Sequence, residues 1–268
     1  MVSICTKTKC TNTKHNHDTS QPPERVALIR WAAGLGAVTA EAVAEHLCVS
    51  VASARGRLAA AEGERLLRRH HPLTGRPALY TLTRAGLRAA GVRGLDPCRV
   101  SASNALHLIE CARVAAALER CYPDHRVQGE RELRSEEHEC RRALASAELG
   151  GGACGDRSGA HSPEGWVGQL RHRPDLVLWP MDPAAGLPVA VEVELTVKAP
   201  ERLAAICQAW ARARCVAGVL YLAPPEVERA VQRAIDRAHA HERVVVVPLE
   251  SLPTRSAGPS ERTVPSGE

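Results

Sequence analysis

The sequence predicts a mixed α/β (α+β) protein with two modules, a small helical unit ending in a hairpin and a larger mixed sheet flanked by helices. Three short helical patterns precede an alternating, turn-containing stretch before residue 83, and strand-like and helical patterns alternate after about residue 170. Charge divides the chain in the same way. Residues 24–95 carry eleven Arg against five acids, a net +6, whereas residues 96–252 have a net −3. A basic front module suits a phosphate backbone, and an acidic back module suggests a different task.

Composition narrows the class of protein further. No apolar run approaches the length that spans a bilayer, and the N-terminus is polar, so we expect no membrane association. The ten Cys form no CxxC pair, which leaves a zinc site without a spacing signal and favours reduced thiols in a cytoplasmic protein. The sequence contains no P-loop, GxGxxG or GxSxG motif, so nucleotide, dinucleotide and serine-hydrolase chemistry lack support.

Three stretches are predicted to lack regular structure. Residues 1–22 are rich in Thr, Lys, Asn and His, and residues 253–268 are rich in Ser, Pro and Gly, so both are predicted to be disordered tails. Residues 149–165 are rich in Gly and Ser and are predicted to form a flexible loop inside the back module.

The front module covers residues 23–95. Pro23 favours the start of a first helix, Thr39 is a good N-cap for a second, and Ser50 is a good N-cap for a third. The alternating stretch "RLLRRHHPLTGRPALYTLT" turns at Pro72–Gly75 and predicts a two-stranded hairpin. The segment "RAGLRAAG" then predicts a short closing helix.

This order of elements, with the "LTRAG" exit after the hairpin, resembles a winged helix-turn-helix domain. The resemblance implies that the third helix enters the major groove of DNA and that the hairpin lies along the backbone. The expected DNA-contacting residues are Ser53, Arg55 and Arg57 on the helix and Arg68, Arg69 and Arg76 on the hairpin. Two alternatives are a merely solvated basic face and a winged helix that binds only protein.

The back module covers residues 100–252. "SASNALHLIECARVAAALERC" predicts a helix with Leu106, Ile109, Val114 and Leu118 facing inward. "HRVQGERELR" is interpreted as a strand and "SEEHECRRALASAE" as a helix. Beyond the Gly-rich stretch, the sequence predicts a pair of strands, a helix, a strand, a second helix and a last strand.

Three carboxylates lie on the predicted strand pair. Asp175 is near the start of the first strand, and Glu192 and Glu194 share one face of the second because side chains alternate along a strand. Cross-strand neighbours lie roughly 5 Å apart, so the three acids are expected to converge. Such convergence is costly unless a cation compensates it, and oxygen ligands favour Mg²⁺ or Mn²⁺. An ion held there could activate water against a phosphodiester.

These residues resemble the PD-(D/E)xK nuclease superfamily, which has the restriction-endonuclease-like fold. Pro174–Asp175 matches the PD, and Glu192-Val193-Glu194 lies where the family has an acid, any residue and a lysine. The resemblance implies that Asp175 and Glu192 hold the metal ion and that an acid lies upstream, for which Glu130 is the candidate. With the front module included, most of the chain resembles the bacterial replication-relaxation proteins of mobile elements.

The family's lysine is replaced by Glu194, which becomes a candidate for a further metal ligand. Lys198 is the only lysine outside the N-terminal tail. If the strand continued, Lys198 would lie about 13 Å beyond Glu194, and its side chain would be too short to reach back to the acids. Lys198 is therefore a candidate for the catalytic role of the family's lysine, which orients or deprotonates the attacking water, only if the strand ends near Thr196 and the chain folds back. His172, beside the PD, is interpreted as a surface residue.

The leading hypothesis is therefore a divalent-metal-dependent DNA endonuclease that acts in plasmid or mobile-element replication or transfer. The alternative is a catalytically inactive DNA-binding accessory protein or transcriptional regulator. A separate interpretation of the three acids is that they simply line a solvent-exposed face of an antiparallel sheet. The expected partner is double-stranded DNA, and a homodimer and other replication or transfer proteins stay open as further partners.

Overall fold

The computed structural model describes residues 23–149 and 171–253, and it has the mixed α+β class that the sequence predicts. The two predicted tails and the predicted flexible loop lie outside the described residues, apart from Leu149 and Pro253. The helices are α1 (Pro23–Leu35), α2 (Ala40–His46), α3 (Val51–Gly63), α4 (Arg84–Ala89), α5 (Ala105–Cys121), α6 (Glu130–Cys140), α7 (Pro200–Arg212) and α8 (Pro225–Ala238). The strands are β1 (Ala37–Val38), β2 (Leu67–His70), β3 (Leu79–Leu82), β4 (His125–Gly129), β5 (Ala147–Glu148), β6 (Arg171–His172), β7 (Leu176–Pro180), β8 (Val189–Val193), β9 (Gly218–Ala223) and β10 (Val244–Pro248).

The front module contains three helices, a hairpin and a short closing helix, in the predicted order. The predicted caps are present: the Thr39 hydroxyl accepts a hydrogen bond from Ala42 N at 3.1 Å, and the Ser50 hydroxyl accepts one from Ser53 N at 3.1 Å. Strands β1, β3 and β2 form an antiparallel sheet in that order. Leu28, Ile29, Val43, Leu58 and Leu82 are among the residues of its core.

The back module is built on a five-stranded sheet with the order β10-β9-β8-β7-β4. Strands β10, β9 and β8 run parallel, whereas β7 is antiparallel to both of its neighbours, β8 and β4. Helix α5 packs on the face that carries Leu176 and Val191, and α7 packs on the face that carries Val177 and Ala190. The order of helix, strand, hairpin, helix and strand that the sequence predicts is therefore present as α5, β4, β7–β8, α7 and β9.

Two predicted elements are wrong in their extent. The strand predicted over "HRVQGERELR" ends at Gly129, and α6 begins at Glu130 with two acids in its first turn, which the helix dipole favours there. The predicted helix "SEEHECRRALASAE" ends at Cys140, because Arg141 adopts a left-handed conformation.

Leu106 is predicted to face inward, but it is 42% exposed. The buried side of this turn of α5 is formed instead by Ala105 and Ile109, which pack with Ala37 and Leu79 of the front module.

The front and back modules are packed directly against each other along α2 and α5. Ala42 of α2 lies in a common cluster with Ala112 and Ala116 of α5. The Trp31 ring stacks on His46 with 4.1 Å between ring centroids, and both residues bind Glu119. The bonds are Trp31 Nε1 to Glu119 Oε1 at 2.8 Å and His46 Nδ1 to Glu119 Oε2 at 2.6 Å. The predicted boundary between residues 95 and 100 is thus spanned by a shared core.

A glycine makes the closest approach between the two modules possible. A Cβ added at Gly129, where β4 meets α6, would lie 2.3 Å from the carbonyl oxygen of Gly34 near the end of α1. Because that oxygen belongs to the backbone, it cannot move aside without shifting α1.

We expect Gly129→Ala to lower the free energy of unfolding by about 1–3 kcal/mol, because the added methyl group overpacks the contact between α1 and β4. Urea unfolding followed by circular dichroism measures the change. Gly56→Ala is the matched control, since a Cβ there meets nothing within 4 Å on α3. This control should be neutral or stabilise the protein by up to about 1 kcal/mol. Equal stabilities of Gly129→Ala and the wild type would contradict the expectation.

Candidate functional site

The antiparallel hairpin β7–β8 sets Asp175 opposite Glu192. Leu176 pairs with Val191, and one further step in the same register places the residues before and after them across from each other. The Asp175 carboxylate also takes part in the strand pairing, because its Oδ2 accepts a hydrogen bond from Val193 N at 2.8 Å. Asp175 and Glu192 therefore occupy facing positions at the end of the strand pair.

The segment that leads into Asp175 is anchored by a buried acid. Glu137 of α6 is fully buried and accepts a hydrogen bond from Arg173 Nε at 3.0 Å through Oε2. Its Oε1 accepts bonds from Leu144 N at 2.8 Å and from the Ser146 hydroxyl at 2.7 Å. A buried carboxylate with this many donors holds its surroundings in place. Arg173, two residues before Asp175, is fixed in this way.

Each of the three predicted acids has a basic partner of its own. Each negative charge is therefore compensated within its own ion pair. The pairs are Asp175 Oδ1 with His107 Nε2 at 3.0 Å, Glu192 Oε1 with His172 Nε2 at 2.7 Å, and Glu194 Oε2 with Lys198 Nζ. Asp175 is partly exposed, whereas Glu192 and Glu194 are 4% and 5% exposed.

Lys198 reaches the site because the chain bends directly after β8. The strand ends at Val193, and Pro200 opens α7 only seven residues later. Lys198 Nζ consequently donates to Glu194 Oε2, which an extended strand would not allow. The condition that the sequence set for Lys198, a chain that folds back, is met.

Glu192 and His172 form a largely buried hydrogen-bonded pair, and the pKa of each is raised above its ordinary value. Burial raises the pKa of Glu192, and the charge of Asp175 raises it further, while His172 and Lys198 oppose the rise. Burial alone would lower the pKa of His172, but the charge and hydrogen bond of Glu192 raise it above its ordinary value. The pair therefore retains one proton above the pH at which a free histidine loses it.

The interpretation of His172 as a surface residue is wrong. Its side chain is only 20% exposed, and its ring meets the Trp210 ring edge-on with 5.7 Å between centroids. Trp210 Nε1 also donates to Glu192 Oε1 at 3.2 Å. His172 therefore belongs to the candidate site, together with Trp210 of α7, which the sequence did not predict as a site residue.

His107 of α5 is the second histidine that the sequence reasoning missed. Its hydrogen bond to Asp175 is the main reason that its pKa is raised; burial opposes the rise, and the charges of Asp175, Glu194 and Glu192 support it. His107 therefore responds electrostatically to all three predicted acids. A signal existed in the sequence: His107 and Cys111 are four residues apart, on one face of a predicted helix.

Glu130, the predicted upstream acid, lies beside the site at the first position of α6. Its backbone N–H donates to the Asp175 carbonyl oxygen at 2.9 Å, so Glu130 helps to fix the backbone of Asp175. Its carboxylate is 37% exposed and pairs with Arg134. The backbone of Glu130 thus contacts Asp175, whereas the Glu130 carboxylate pairs with Arg134, one turn further along α6.

The predicted metal ligands are not drawn together as closely as expected. Among residues 23–149 and 171–253, the carboxylates of Asp175, Glu192 and Glu194 do not form a group whose ligand atoms all lie within 4.8 Å. Ligand atoms of His107, Cys111 and Asp175 do form such a group. The physical reason is that the Asp175 carboxylate binds His107 of α5, which covers one face of the sheet, whereas the Glu192 carboxylate binds Trp210 of α7, which covers the other.

Five of the six predicted DNA-contacting residues line two separate grooves, one on each side of α3. Arg55 lines a cleft of about 480 Å³ between α3 and the β2–β3 hairpin, together with Arg69 and Arg76. Ser53 and Arg57 line a different groove, against α1. Arg68 is exposed on β2, next to Arg69, whose guanidinium lies 5.9 Å from the centroid of the Tyr80 ring.

Acids already contact two of these arginines. Arg55 pairs with Glu41 at 3.1 Å and Arg57 pairs with Glu24 at 3.0 Å, both in exposed positions. Exposed pairs of this kind contribute little to stability and are readily exchanged for other anions.

Comparison of the chain with protein-family models, with curated proteins and with solved structures gave no match. None of the helices that the structure describes has both the length and the apolar character needed to cross a membrane.

Replacing Glu192 with Gln removes the charge that raises the pKa of His172 while its ring stays buried. We expect the pKa of His172 to lie above the ordinary value of 6.5 in the wild type and below it in Glu192→Gln. Imidazole titration by NMR, with His172→Gln used to assign the signal, measures both.

The same pair makes a pH-dependent contribution to stability. Since the folded protein binds the His172 proton more tightly than the unfolded chain, this contribution is fully present below pH 6.5 and is lost as pH rises through the folded-state pKa. An unchanged pKa of His172 in Glu192→Gln would contradict the assignment of its cause.

Proposed function

We propose that this protein binds double-stranded DNA and hydrolyses a phosphodiester bond with Mg²⁺ or Mn²⁺. The observation that carries the proposal is the return of Lys198 onto Glu194, next to the opposed acids Asp175 and Glu192. The PD-(D/E)xK pattern requires two acids and a lysine at one place. This chain lacks the lysine at its usual position in the sequence, and the amino group of Lys198 instead contacts Glu194, the residue that stands at that position.

The donor set fits a hard divalent cation. Asp175 and Glu192 offer carboxylate oxygens, the ligands that Mg²⁺ and Mn²⁺ prefer. Glu192 uses Oε1 for both His172 and Trp210, and each carboxylate has about four lone-pair sites, so acceptor capacity is left for an ion. Glu194 lies beside them as a further ligand. When bound, such an ion supplies Lewis acidity and lowers the pKa of a coordinated water.

The residues of the chain have separate roles in this proposal. Asp175 and Glu192 hold the ion, and the Glu130 N–H and the Val193 N–H fix the position of Asp175. Lys198 orients the attacking water or stabilises the negative charge that develops on the phosphate. A lysine suits either role, because its amino group is a compact charge that can also give up a proton, whereas arginine stays protonated.

The front module supports duplex DNA as the substrate. Its net charge is +6, and Arg55, Arg69 and Arg76 all line the cleft between α3 and the hairpin. An arginine cluster of this kind binds phosphate oxygens through directed hydrogen bonds. We place this activity in plasmid or mobile-element replication or transfer, in the cytoplasm, on the resemblance to replication-relaxation proteins.

One observation favours a second candidate, a DNA-binding accessory protein or regulator without cleavage. The three acids are already compensated by His107, His172 and Lys198, so the site needs no ion for its charge balance. The two candidates differ in a single measurable property, which is metal-dependent cleavage by a protein that binds DNA.

We expect the wild type to nick supercoiled plasmid in Mg²⁺ or Mn²⁺ and Asp175→Asn to lose this activity. Lys198→Ala should lower the rate by about 100-fold or more, the contribution typical of a positioned proton-transfer group. Lys198→Arg should restore the rate only if charge, and not proton transfer, is what Lys198 provides. Gel separation of nicked and supercoiled forms gives the rates.

Glu201→Gln is the matched control, since Glu201 lies on α7 near the site but its side chain is 82% exposed. It should cleave at the wild-type rate. Circular dichroism should show that every variant is folded. DNA binding by a wild type that does not cleave would reject the nuclease and support the accessory protein.

We expect Arg69→Ala and Arg76→Ala to weaken binding to all duplex sequences about equally and to reduce the salt dependence of binding by about one ion each. The reason is that an arginine bound to phosphate displaces a counterion. Fluorescence anisotropy at several salt concentrations measures the slope. Arg233→Ala, exposed on α8 of the back module, is the control and should change neither quantity. Equal effects of all three variants would argue against the cleft as the DNA site.

A further inference from the structure

We propose that His107, Cys111 and Asp175 form a binding site for a transition-metal ion of the zinc class. The His107 Nε2 atom lies 3.0 Å from Asp175 Oδ1 and 3.4 Å from Cys111 Sγ. The ligand atoms of all three residues lie within 4.8 Å of one another. The site is distinct from the carboxylate set proposed for Mg²⁺ or Mn²⁺, although the two have Asp175 in common.

The distances agree with tetrahedral coordination. Zinc bonds of about 2.0–2.3 Å to nitrogen, oxygen and sulfur place neighbouring ligand atoms roughly 3.3–3.7 Å apart. The two separations that involve His107 Nε2 lie within a few tenths of an ångström of that range. Little movement is needed to accept an ion, so the ligands are largely preorganised.

The folded chain fixes all three ligands from two directions. His107 and Cys111 are one helical turn apart on α5, so their side chains project from the same face of the helix. Asp175 is held from the sheet side, because its carbonyl accepts from Glu130 N at 2.9 Å and its Oδ2 accepts from Val193 N at 2.8 Å. These bonds leave Oδ1 as the oxygen that faces His107.

The ligand types select the class of ion. A thiolate and an imidazole are poor ligands for Mg²⁺ and good ones for Zn²⁺ or Co²⁺, and one carboxylate oxygen is compatible with both classes. Binding requires the Cys111 thiol to release its proton to the solvent and requires His107 to be neutral. Three protein ligands leave a fourth position for water, and the His107 side chain is 41% exposed, which gives that position access to solvent.

The shared residue gives the site a consequence for the proposed nuclease. An ion of the zinc class at His107, Cys111 and Asp175 occupies the carboxylate that would otherwise hold Mg²⁺ or Mn²⁺. We therefore infer that zinc inhibits cleavage. This consequence rests on the proposed function, whereas the metal site itself does not.

The test is titration of the full, reduced, metal-free chain with Co²⁺ followed by absorption spectroscopy. We expect tetrahedral d–d bands in the visible region and a thiolate-to-cobalt charge-transfer band in the near ultraviolet, both saturating at one ion per chain. Zn²⁺ should abolish the bands, whereas Mg²⁺ in large excess should not.

Variants identify the thiol responsible. Cys111→Ala should abolish the charge-transfer band, and His107→Gln and Asp175→Asn should weaken Co²⁺ binding at least about tenfold. Cys121→Ala is the matched control, because Cys121 is an exposed thiol on the same helix, and it should retain the wild-type spectrum. Cys111→Ser, which keeps nearly the same volume, separates the loss of the thiolate from a packing defect, and circular dichroism should confirm folding.

Two results would overturn the proposal. One is a folded, reduced wild type without a thiolate-to-cobalt band, and the other is a band that survives in Cys111→Ala.

The inhibition is measured separately, as the slowing of Mg²⁺-dependent nicking by Zn²⁺ relative to each variant's own rate without zinc. Cys111→Ala should relieve the slowing. If the wild type does not cleave DNA at all, the proposed nuclease fails while the cobalt spectrum still decides the metal site.

Discussion

The antiparallel pairing of β7 with β8 is the constraint on which the candidate site depends. The register that joins Leu176 to Val191 sets Asp175 opposite Glu192, and the end of β8 at Val193 lets the chain turn back so that Lys198 meets Glu194. A shift of the register by one residue would move Glu192 to the opposite face of the sheet. The buried valines and leucines on both faces of the hairpin oppose such a shift.

Charge compensation within the protein is the second organising feature. Three carboxylates close to one another would repel, and two of them are almost completely buried, so each must be stabilised in the folded state. His107, His172 and Lys198 provide this stabilisation from α5, from β6 and from the bend after β8. A metal ion that binds here therefore competes with partners already present. The affinity for such an ion depends on how much more strongly it interacts with the carboxylates than His107, His172 and Lys198 do.

The sequence was most informative where structure is decided locally. The caps Thr39 and Ser50, the turn of the front hairpin and the alternation along β8 all depend on neighbours a few residues away, and each was predicted. The start of α6 was not predicted, because it follows Gly129, which is in close contact with Gly34, ninety-five positions earlier in the chain. His107, His172 and Trp210 were missed or misjudged for the same reason: their roles follow from which helix covers which face of the sheet. Lys198 was predicted conditionally, since the sequence contained a plausible bend but not its direction.

If the proposed function holds, the shared core between α2 and α5 bears on where the protein would cut a duplex. Trp31, His46 and Glu119 join the two modules through short hydrogen bonds, and the backbones of α1 and β4 approach closely at Gly34 and Gly129. In the proposed function, α3 and Asp175 then keep a constant separation when the protein sits on a duplex. The reacting bond would lie at one fixed number of base pairs from the sequence that α3 reads, and any change in that spacing would have to come from bending of the DNA.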